Sequence, residues 1–180
     1  FKSSPRNVSI DFSKELLKNR NTYSKIVALT VNPDDNLISK IILNIQPDFI
    51  QLHGSETPDR CIEIKNQFNV PIIKGIGVKN REDLINSTKT FQKHSDILIL
   101  DAPSMTLPGG NGSKFNWNIL KDYDYKKTWM LAGGLQSNNI QEAIKITNPP
   151  AIDISSGVEV EKGIKSPKLI KDFVNICRNI

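Results

Sequence analysis

The 180-residue sequence predicts an α/β fold in which parallel β-strands alternate with α-helices that cover them. Aliphatic runs recur roughly every 25 residues, which is the length of one strand–helix unit. One run, at residues 97–100, has four consecutive aliphatic side chains and is typical of a strand buried on both faces of a parallel sheet. Two architectures share this pattern, the closed eight-fold barrel and the open doubly wound sheet.

The first elements are a loop and a helix. Residues 1–6 contain proline and small polar side chains, which indicates a loop. A helix then starts at a cap supplied by Ser9 or Asp11 and continues to about Asn19. Its expected inner face consists of Phe12, Leu16 and Leu17.

Strands and helices then alternate to the end of the sequence. Strands are expected at residues 26–31, 48–52, 71–76, 97–101, 128–132 and 151–154. Helices are expected to start at residues 32–34 and at the caps Thr57, Asn138 and Ser166. Another helix is expected from about Arg81 to Gln92, and a short one from Asn116.

The number of strands bears on how much of a barrel is present. A barrel needs eight strands, and the sequence has about six βα units, preceded by a loop and a helix that look like the end of a second unit. We therefore expect one barrel domain over residues 1–180 that is incomplete at its amino end. One complete unit and one strand would be missing ahead of Phe1.

Charge and composition argue against several classes of protein. The net charge is +5, but the lysines are scattered singly along helices, so we expect no nucleic-acid partner. No apolar run approaches the roughly 20 residues that a bilayer requires, so we expect no membrane partner. Cys61 and Cys177 lie in helical patterns and predict packing thiols in a reducing cytoplasm. With two histidines and no cysteine at a strand end, we expect no metal site.

Asp101 is the first candidate for chemistry. It ends the aliphatic run at residues 97–100, where a carboxylate has no packing role and is costly to bury. Barrel enzymes place catalytic groups at such strand ends, and the glycine-rich loop at residues 108–112 could bring backbone N–H groups to an anion. The alternative is that Asp101 only caps the loop that follows it.

Small residues after the last two strands predict a phosphate site. Gly133 and Gly134 follow one strand, and Ser156 and Gly157 follow the next. In barrels the corresponding loops bind phosphate through backbone N–H groups, which a Cβ atom would keep at a distance. The alternative for each pair is an ordinary turn. Neither a Walker A loop nor a G-x-G-x-x-G fingerprint occurs, so a nucleotide cofactor is not indicated.

Three more charged or titratable residues are candidates, each with two interpretations. His53 follows a strand and could hydrogen-bond a substrate or hold a loop in place. Arg6 could be a surface residue or could grip a carboxylate at the mouth of the site. Asp153 lies inside an apolar strand, so its charge needs a partner, which could be a substrate or a lysine.

Taken together, these residues resemble the phosphoribosylanthranilate isomerase family of tryptophan biosynthesis. The matching runs occur in the family's order and spacing and cover the whole chain. They are Ser-Pro-Arg at 4–6, Gln-Leu-His-Gly at 51–54, Leu-Ile-Leu-Asp at 98–101, Pro-Gly-Gly-Asn-Gly at 108–112, Phe-Asn-Trp at 115–117, Leu-Ala-Gly-Gly-Leu at 131–135 and Asp-Ile-Ser-Ser-Gly-Val-Glu at 153–159.

The resemblance implies a (βα)8 TIM barrel that catalyses a cofactor-free Amadori rearrangement. Asp101 would be the general acid that opens the furanose ring of a small anionic substrate. The residues expected to bind that substrate are Arg6, His53 and Asp153. Those expected to bind its phosphate are Gly110, Gly112, Gly133, Gly134, Ser156 and Gly157. A monomer or a homodimer is expected.

The sequence departs from the family pattern in two ways. The family's general base is a cysteine in a Cys-Gly pair that ends the first strand, and this chain lacks that strand; Cys61 and Cys177 cannot replace it because they lie on helices. Asn111 and Asn116 stand where the family more often has Thr and Asp, which we expect to tune the site.

Two alternative functions remain open at this point. The first is another phosphate-binding barrel such as indole-glycerol-phosphate synthase, which needs lysines at early strand ends, whereas Lys74 is alone within a strand. The second is a non-catalytic barrel fragment, which the missing base would favour.

Overall fold

Five parallel strands form one sheet in the computed structural model, which describes residues 1, 3–21, 23–103, 116–123 and 127–180. In chain order the strands are β1 (Val27–Thr30), β2 (Phe49–Leu52), β3 (Ile72–Gly77), β4 (Ile97–Asp101) and β5 (Trp129–Leu131). The strands lie side by side in the order of the sequence, from β1 at one edge to β5 at the other. This order is that of a barrel, because a doubly wound sheet reverses its order at a switch point.

Helices separate the strands as the sequence predicts. They are α1 (Ile10–Lys18), α2 (Asp35–Ile45), α3 (Pro58–Phe68), α4 (Arg81–Phe91), α5 (Ile140–Thr147) and α6 (Pro167–Arg178). The expected caps are confirmed at Ser9, Thr57 and Ser166, whose hydroxyl groups each accept a hydrogen bond from a backbone N–H of the first turn. The predicted short helix is a 3₁₀ turn at Trp117–Ile119.

The cap expected at Asn138 is wrong by one residue. Helix α5 starts after Asn139, whose side chain does not bond to the first turn of that helix. Instead Asn139 Oδ1 accepts a hydrogen bond from Gln136 N at 2.8 Å, and its Nδ2 donates one to Gly134 O at 2.9 Å. The side chain therefore stabilises the loop before the helix.

The two faces of the sheet carry different side chains because residues alternate along a strand. The face toward the helices contributes to two buried clusters with side chains of the helices, and its members include Ile50, Leu52, Ile72, Leu98, Leu100 and Leu131. The opposite face has a smaller apolar cluster that consists of Phe49, Ile73, Ile97, Ile99, Met130 and Ala132. Gln51, His53 and Asp101 share the parity of this second face in their strands, which places them inside the barrel.

The expectation for the inner face of α1 is wrong for two of its three residues. Phe12 and Leu16 are 53% and 57% exposed, and no residue of α1 is buried. Strand β1 pairs only with β2 in the part of the chain that the structure describes, and Val27 and Leu29 are also exposed. Without a strand along that edge of β1, the apolar side of α1 has little to pack against.

The sixth expected strand is reduced to a single parallel bridge between Ile152 and Leu131. Asp153 N donates to Leu131 O at 2.8 Å, so the segment still continues the sheet beyond β5. Two prolines, Pro149 and Pro150, precede it and have no N–H to extend the ladder. A 3₁₀ turn at Ser156–Val158 ends it, and a short antiparallel hairpin follows, formed by β6 (Glu159–Glu161) and β7 (Ile164–Lys165).

Candidate active site

A cavity of about 910 Å³ extends from the carboxyl ends of the parallel strands along the edge of β1 to α1 and α2. The part at the strand ends holds most of the candidate residues. Seven of the residues predicted for the site line the cavity, namely Arg6, His53, Asp101, Gly133, Gly134, Asp153 and Ser156. Parallel strands bring their carboxyl ends to one edge, so residues that lie far apart in sequence meet there.

His53 and Asp101 lie next to each other inside this cavity. His53 Nε2 is 3.4 Å from Asp101 Oδ2, and the two side chains are 11% and 14% exposed. The other carboxylate oxygen, Asp101 Oδ1, accepts a hydrogen bond from Ala102 N at 2.7 Å. On the other side of the ring, Gln51 Nε2 lies 3.2 Å from His53 Nδ1. The Asp101 carboxylate is therefore held between a backbone N–H and an imidazole ring.

Asp153 supplies a second carboxyl group to the same cavity. Burial raises its pKa, and the negative charge of Asp101 raises it further, while His53 and Lys165 act in the opposite direction. Two carboxyl groups in a pocket of low polarity ionise less readily together than alone. The Asp153 carboxyl group therefore keeps its proton to a higher pH than an ordinary aspartate does.

Arg6 forms a two-point ion pair with Glu159 of the hairpin. Arg6 Nε and Nη2 lie 2.7 Å from the two carboxylate oxygens of Glu159, whose side chain is 5% exposed. The hydrogen bond from Arg6 lowers the pKa of Glu159 to about 2, and Lys165 contributes in the same direction against the effect of burial. The pair uses two of the five N–H donors of the guanidinium, which leaves donors for an anionic ligand.

The turn after β5 needs glycine for its backbone and for its neighbours. Gly133 and Gly134 have φ of +89° and +66°, a region that side chains disfavour. A Cβ atom on Gly133 would lie 2.6 Å from Ala102 N and 3.0 Å from Asp101 Oδ1. The absence of a side chain thus lets this turn contact the loop that carries the Asp101 carboxylate.

Gly157 has a packing role of the same kind. A Cβ atom there would lie 2.0 Å from Leu135 O, so the two loops expected to bind phosphate are in direct contact. Next to them, Lys165 Nζ donates to Ser155 O at 2.7 Å and to Glu159 Oε1 at 2.8 Å. Gly110 and Gly112, together with the rest of the loop at 108–112, lie outside the described residues.

A buried ion pair that the sequence pattern does not predict lies on the other side of the sheet from the cavity. Lys74 Nζ is 2.8 Å from Glu56 Oε2, on the side of the sheet that faces the helices. Glu56 also accepts hydrogen bonds from Asn32 N and Gly54 N, in the loops that follow β1 and β2. The pair therefore ties together two loops at the edge of the cavity, one of which starts at His53.

Other interactions near the site were also missed. Alternation along β2 could have placed Gln51 beside His53, because residues two apart point to the same face. Glu159 and Lys165 had no comparable signal, since their hairpin has only short strands. Within the described ranges, no group of three or more histidine, cysteine or acidic residues could hold a metal ion, and no helix is long and apolar enough to span a membrane.

Comparison with known proteins identifies the family. The family model for N-(5'-phosphoribosyl)anthranilate isomerase matches residues 1–176. The chain is 39% identical over 177 residues to the enzyme of that name from Paracoccus denitrificans, covering 97% of this chain and 82% of the relative.

Solved structures agree with this match. The crystal structure of phosphoribosyl anthranilate isomerase from Thermotoga maritima aligns with a TM-score of 0.87 at 27% identity, over 99% of this chain and 85% of that one. A structure of such an isomerase in complex with reduced 1-(o-carboxyphenylamino)-1-deoxyribulose 5-phosphate aligns with a TM-score of 0.81 at 26% identity, over 99% and 84% of the two chains. The five in-order parallel strands and their covering helices are part of a (βα)8 barrel. The chain belongs to the N-(5'-phosphoribosyl)anthranilate isomerase family.

Proposed function

We propose that this protein isomerises N-(5'-phosphoribosyl)anthranilate to the 1-deoxyribulose 5-phosphate product, a cofactor-free step of tryptophan biosynthesis. The observation that carries the proposal is the meeting of Asp101, Asp153 and Arg6 with two glycine-containing loops around one cavity. Such a substrate has a carboxylate at one end and a phosphate at the other. Arg6 suits the first group, and the backbone of the loops at Gly133 and Ser156 suits the second.

The first chemical step needs an acid at the sugar ring. As the C1'–O4' bond breaks, the anilino nitrogen forms a double bond to C1', and the ring oxygen takes a proton. The position of Asp101 supports this role, because its carboxyl group lies at the strand end, inside the cavity and largely shielded from water. A base then removes the C2' proton to give an enolamine, which tautomerises to the ketone.

The base is assigned by the family resemblance to a cysteine of a Cys-Gly pair. Neither cysteine of this chain fits that role. Cys61 is fully buried on α3, where burial raises the pKa of its thiol to about 11, and Cys177 lies on α6. A thiol with such a raised pKa is a poor base at neutral pH.

The alternative of an indole-glycerol-phosphate synthase is disfavoured by the position of Lys74. Its ammonium group is paired with Glu56, and the side chain is 3% exposed on the helix side of the sheet. Among the described residues that line the cavity there is no lysine. The described part of the cavity therefore offers no group for a lysine-dependent reaction.

Location and assembly belong to the same proposal. A cytoplasmic location is supported by two cysteines that are both free. A monomer or a homodimer that acts on a small anionic substrate, without nucleic acid, remains the prediction.

The test is turnover of phosphoribosylanthranilate by the full native chain and by Asp101→Asn. We expect this variant to lose at least about 100-fold in kcat, because general acid catalysis contributes that much, while substrate binding survives. Asp59→Asn is the matched control, since Asp59 is exposed on α3 and should leave turnover unchanged. Near-normal turnover of Asp101→Asn would refute the acid assignment. Conversion of the indole precursor but not of phosphoribosylanthranilate would favour the synthase.

A further inference from the structure

Three side chains at the carboxyl ends of β2 and β4 form a continuous row inside the barrel. Gln51 Nε2 lies 3.2 Å from His53 Nδ1, and His53 Nε2 lies 3.4 Å from Asp101 Oδ2. Gln51 is 6% exposed, so its amide has little access to water. Because Gln51 and His53 are two residues apart, the strand itself directs both side chains to the same face.

The hydrogen atoms in this row can be assigned from the chemistry of its members. In the form of the site in which Asp101 is ionised, its carboxylate only accepts hydrogen bonds, so the ring nitrogen that faces it, Nε2, carries the hydrogen. In a neutral imidazole the other nitrogen, Nδ1, is then an acceptor. The Gln51 amide nitrogen is a donor and lies opposite this acceptor.

We propose that Gln51 is a positioning residue that fixes His53 in its Nε2–H tautomer and, through the ring, holds the Asp101 carboxyl group in its reactive orientation. This inference rests on the proposed role of Asp101 as general acid. It changes the expected role of His53 from a substrate ligand to a group that acts on Asp101. Gln51 lines the cavity, and its proposed effect on Asp101 passes through the His53 ring.

The neighbouring strand provides an independent observation. A Cβ atom on Gly75 of β3 would lie 2.3 Å from His53 Nδ1 and 2.8 Å from its Cε1. Gly75 does not have a positive φ, so its backbone conformation does not require glycine. The missing side chain instead makes room for the ring, which lies directly on this residue.

The consequence for Asp101 is a carboxyl group with a neighbour at each oxygen. Ala102 N donates to Oδ1, and the His53 ring faces Oδ2. Each oxygen has two lone pairs, so either one keeps a position for the proton that is transferred to the substrate. Orientation matters here, because a displacement of about 1 Å can cost about 100-fold in rate.

The tautomer is directly measurable by ¹⁵N NMR of the imidazole groups in the full native chain. The sequence has only two histidines, and the second is a built-in contrast. His94 Nδ1 lies 2.7 Å from Thr90 O, a carbonyl oxygen that only accepts, so its Nδ1 carries the hydrogen. We expect His53 to show the Nε2–H tautomer and His94 the Nδ1–H tautomer.

Variants of Gln51 test the positioning role. Gln51→Met removes the donor at similar volume, so we expect a mixture of His53 tautomers and a kcat lowered about 10-fold to 100-fold, with KM changed less than about threefold. Gln51→Glu places a carboxylate, which only accepts hydrogen bonds, opposite Nδ1, so we expect Nδ1 of His53 to carry a hydrogen in this variant. If Gln51→Met does not fold, Gln51→Glu decides between the same outcomes.

The matched control is Gln67→Met on α3. The Gln67 amide also donates one side-chain hydrogen bond, to Asp35 at 3.3 Å, but it does not line the cavity. The turnover of Gln67→Met and the NMR signals of its His53 should equal those of the native protein. Gly75→Ala should displace the ring and lower kcat in the same way as Gln51→Met.

Two results would overturn the proposal. One is an Nδ1–H tautomer of His53 in the native protein. The other is a Gln51→Met variant with native tautomer and native kcat. If the native protein does not isomerise phosphoribosylanthranilate, the proposed function fails. The contacts between Gln51, His53 and Asp101 can still be tested, because the tautomer of His53 and its change in Gln51→Met do not depend on the substrate.

Discussion

The buried ion pair between Lys74 and Glu56 allows a quantitative test of how the site is supported. The two side chains are 3% and 2% exposed, so neither charge is solvated. Removing one partner of such a pair costs about 3–5 kcal/mol, because the other charge stays buried. Asn32 N and Gly54 N still donate to Glu56, at 2.7 and 2.9 Å. We therefore expect Lys74→Met to reduce the free energy of unfolding by about 3 kcal/mol, the small end of this range.

The loss depends on pH in a direction set by the pKa of Glu56. Burial alone raises this pKa, but Lys74 and the backbone N–H groups together lower it below its ordinary value. The native carboxylate thus contributes stability above the ordinary pKa of about 4.3, and this contribution disappears as the pH falls through the lower folded pKa. In Lys74→Met burial prevails and the group can take up a proton on folding. The destabilisation should therefore be smaller at pH 5 than at pH 7.

The assay is thermal and urea unfolding at both pH values. For a protein of this size, 3 kcal/mol corresponds to a decrease in Tm of about 6–12 °C. Lys65→Met is the matched control: Lys65 pairs with Asp96, but these side chains are 43% and 33% exposed, so the loss should be below about 1 kcal/mol. A loss for Lys74→Met at pH 7 no larger than that of Lys65→Met would refute the reasoning.

Two further predictions concern the residues around the cavity. Glu159→Gln should raise KM about tenfold, because Arg6 loses its charged partner. The stability that the native pair contributes should disappear as the pH falls from 4.5 to about 2, so the unfolding curves of the native protein and the variant should converge at acid pH. Curves that stay apart at pH 2 would contradict this. Gly133→Ala should destabilise by more than about 1 kcal/mol and lower turnover, since φ is +89° and the new Cβ meets Ala102 N, and unchanged unfolding and kinetics would show that the turn can adapt.

Sequence reasoning worked best where one local signal decides the structure. The aliphatic run at residues 97–100 predicted β4 closely, because few other arrangements bury four consecutive apolar side chains. Hydroxyl caps such as Ser9 and Thr57 were predictable because the cap bond spans only three residues. Strand ends then placed His53 and Asp101 in one region, since parallel strands share a carboxyl edge.

Non-local interactions were beyond the sequence. The periodicity of α1 gives an apolar side but cannot tell whether a neighbouring strand covers it, and Phe12 remained exposed. Nothing in the sequence selects Glu159 from 19 acidic residues as the partner of Arg6. The row from Gln51 to Asp101 is partly local, since alternation gives its first contact and only the sheet gives its second.

The hairpin of β6 and β7 contacts the loop that holds Pro5 and Arg6, and this contact bears on the order of assembly. Arg6 and Glu159 are 153 positions apart, and a Cβ atom on Gly163 would lie 2.7 Å from Pro5 O. During synthesis Arg6 leaves the ribosome early but has no anchor until the hairpin follows. In conformational entropy, closing a loop of this length costs only about 1 kcal/mol more than closing one a quarter as long. The long separation therefore affects when the pair forms more than how stable it is. Nascent chains should therefore form their helix-covered sheet before the pair of Arg6 and Glu159.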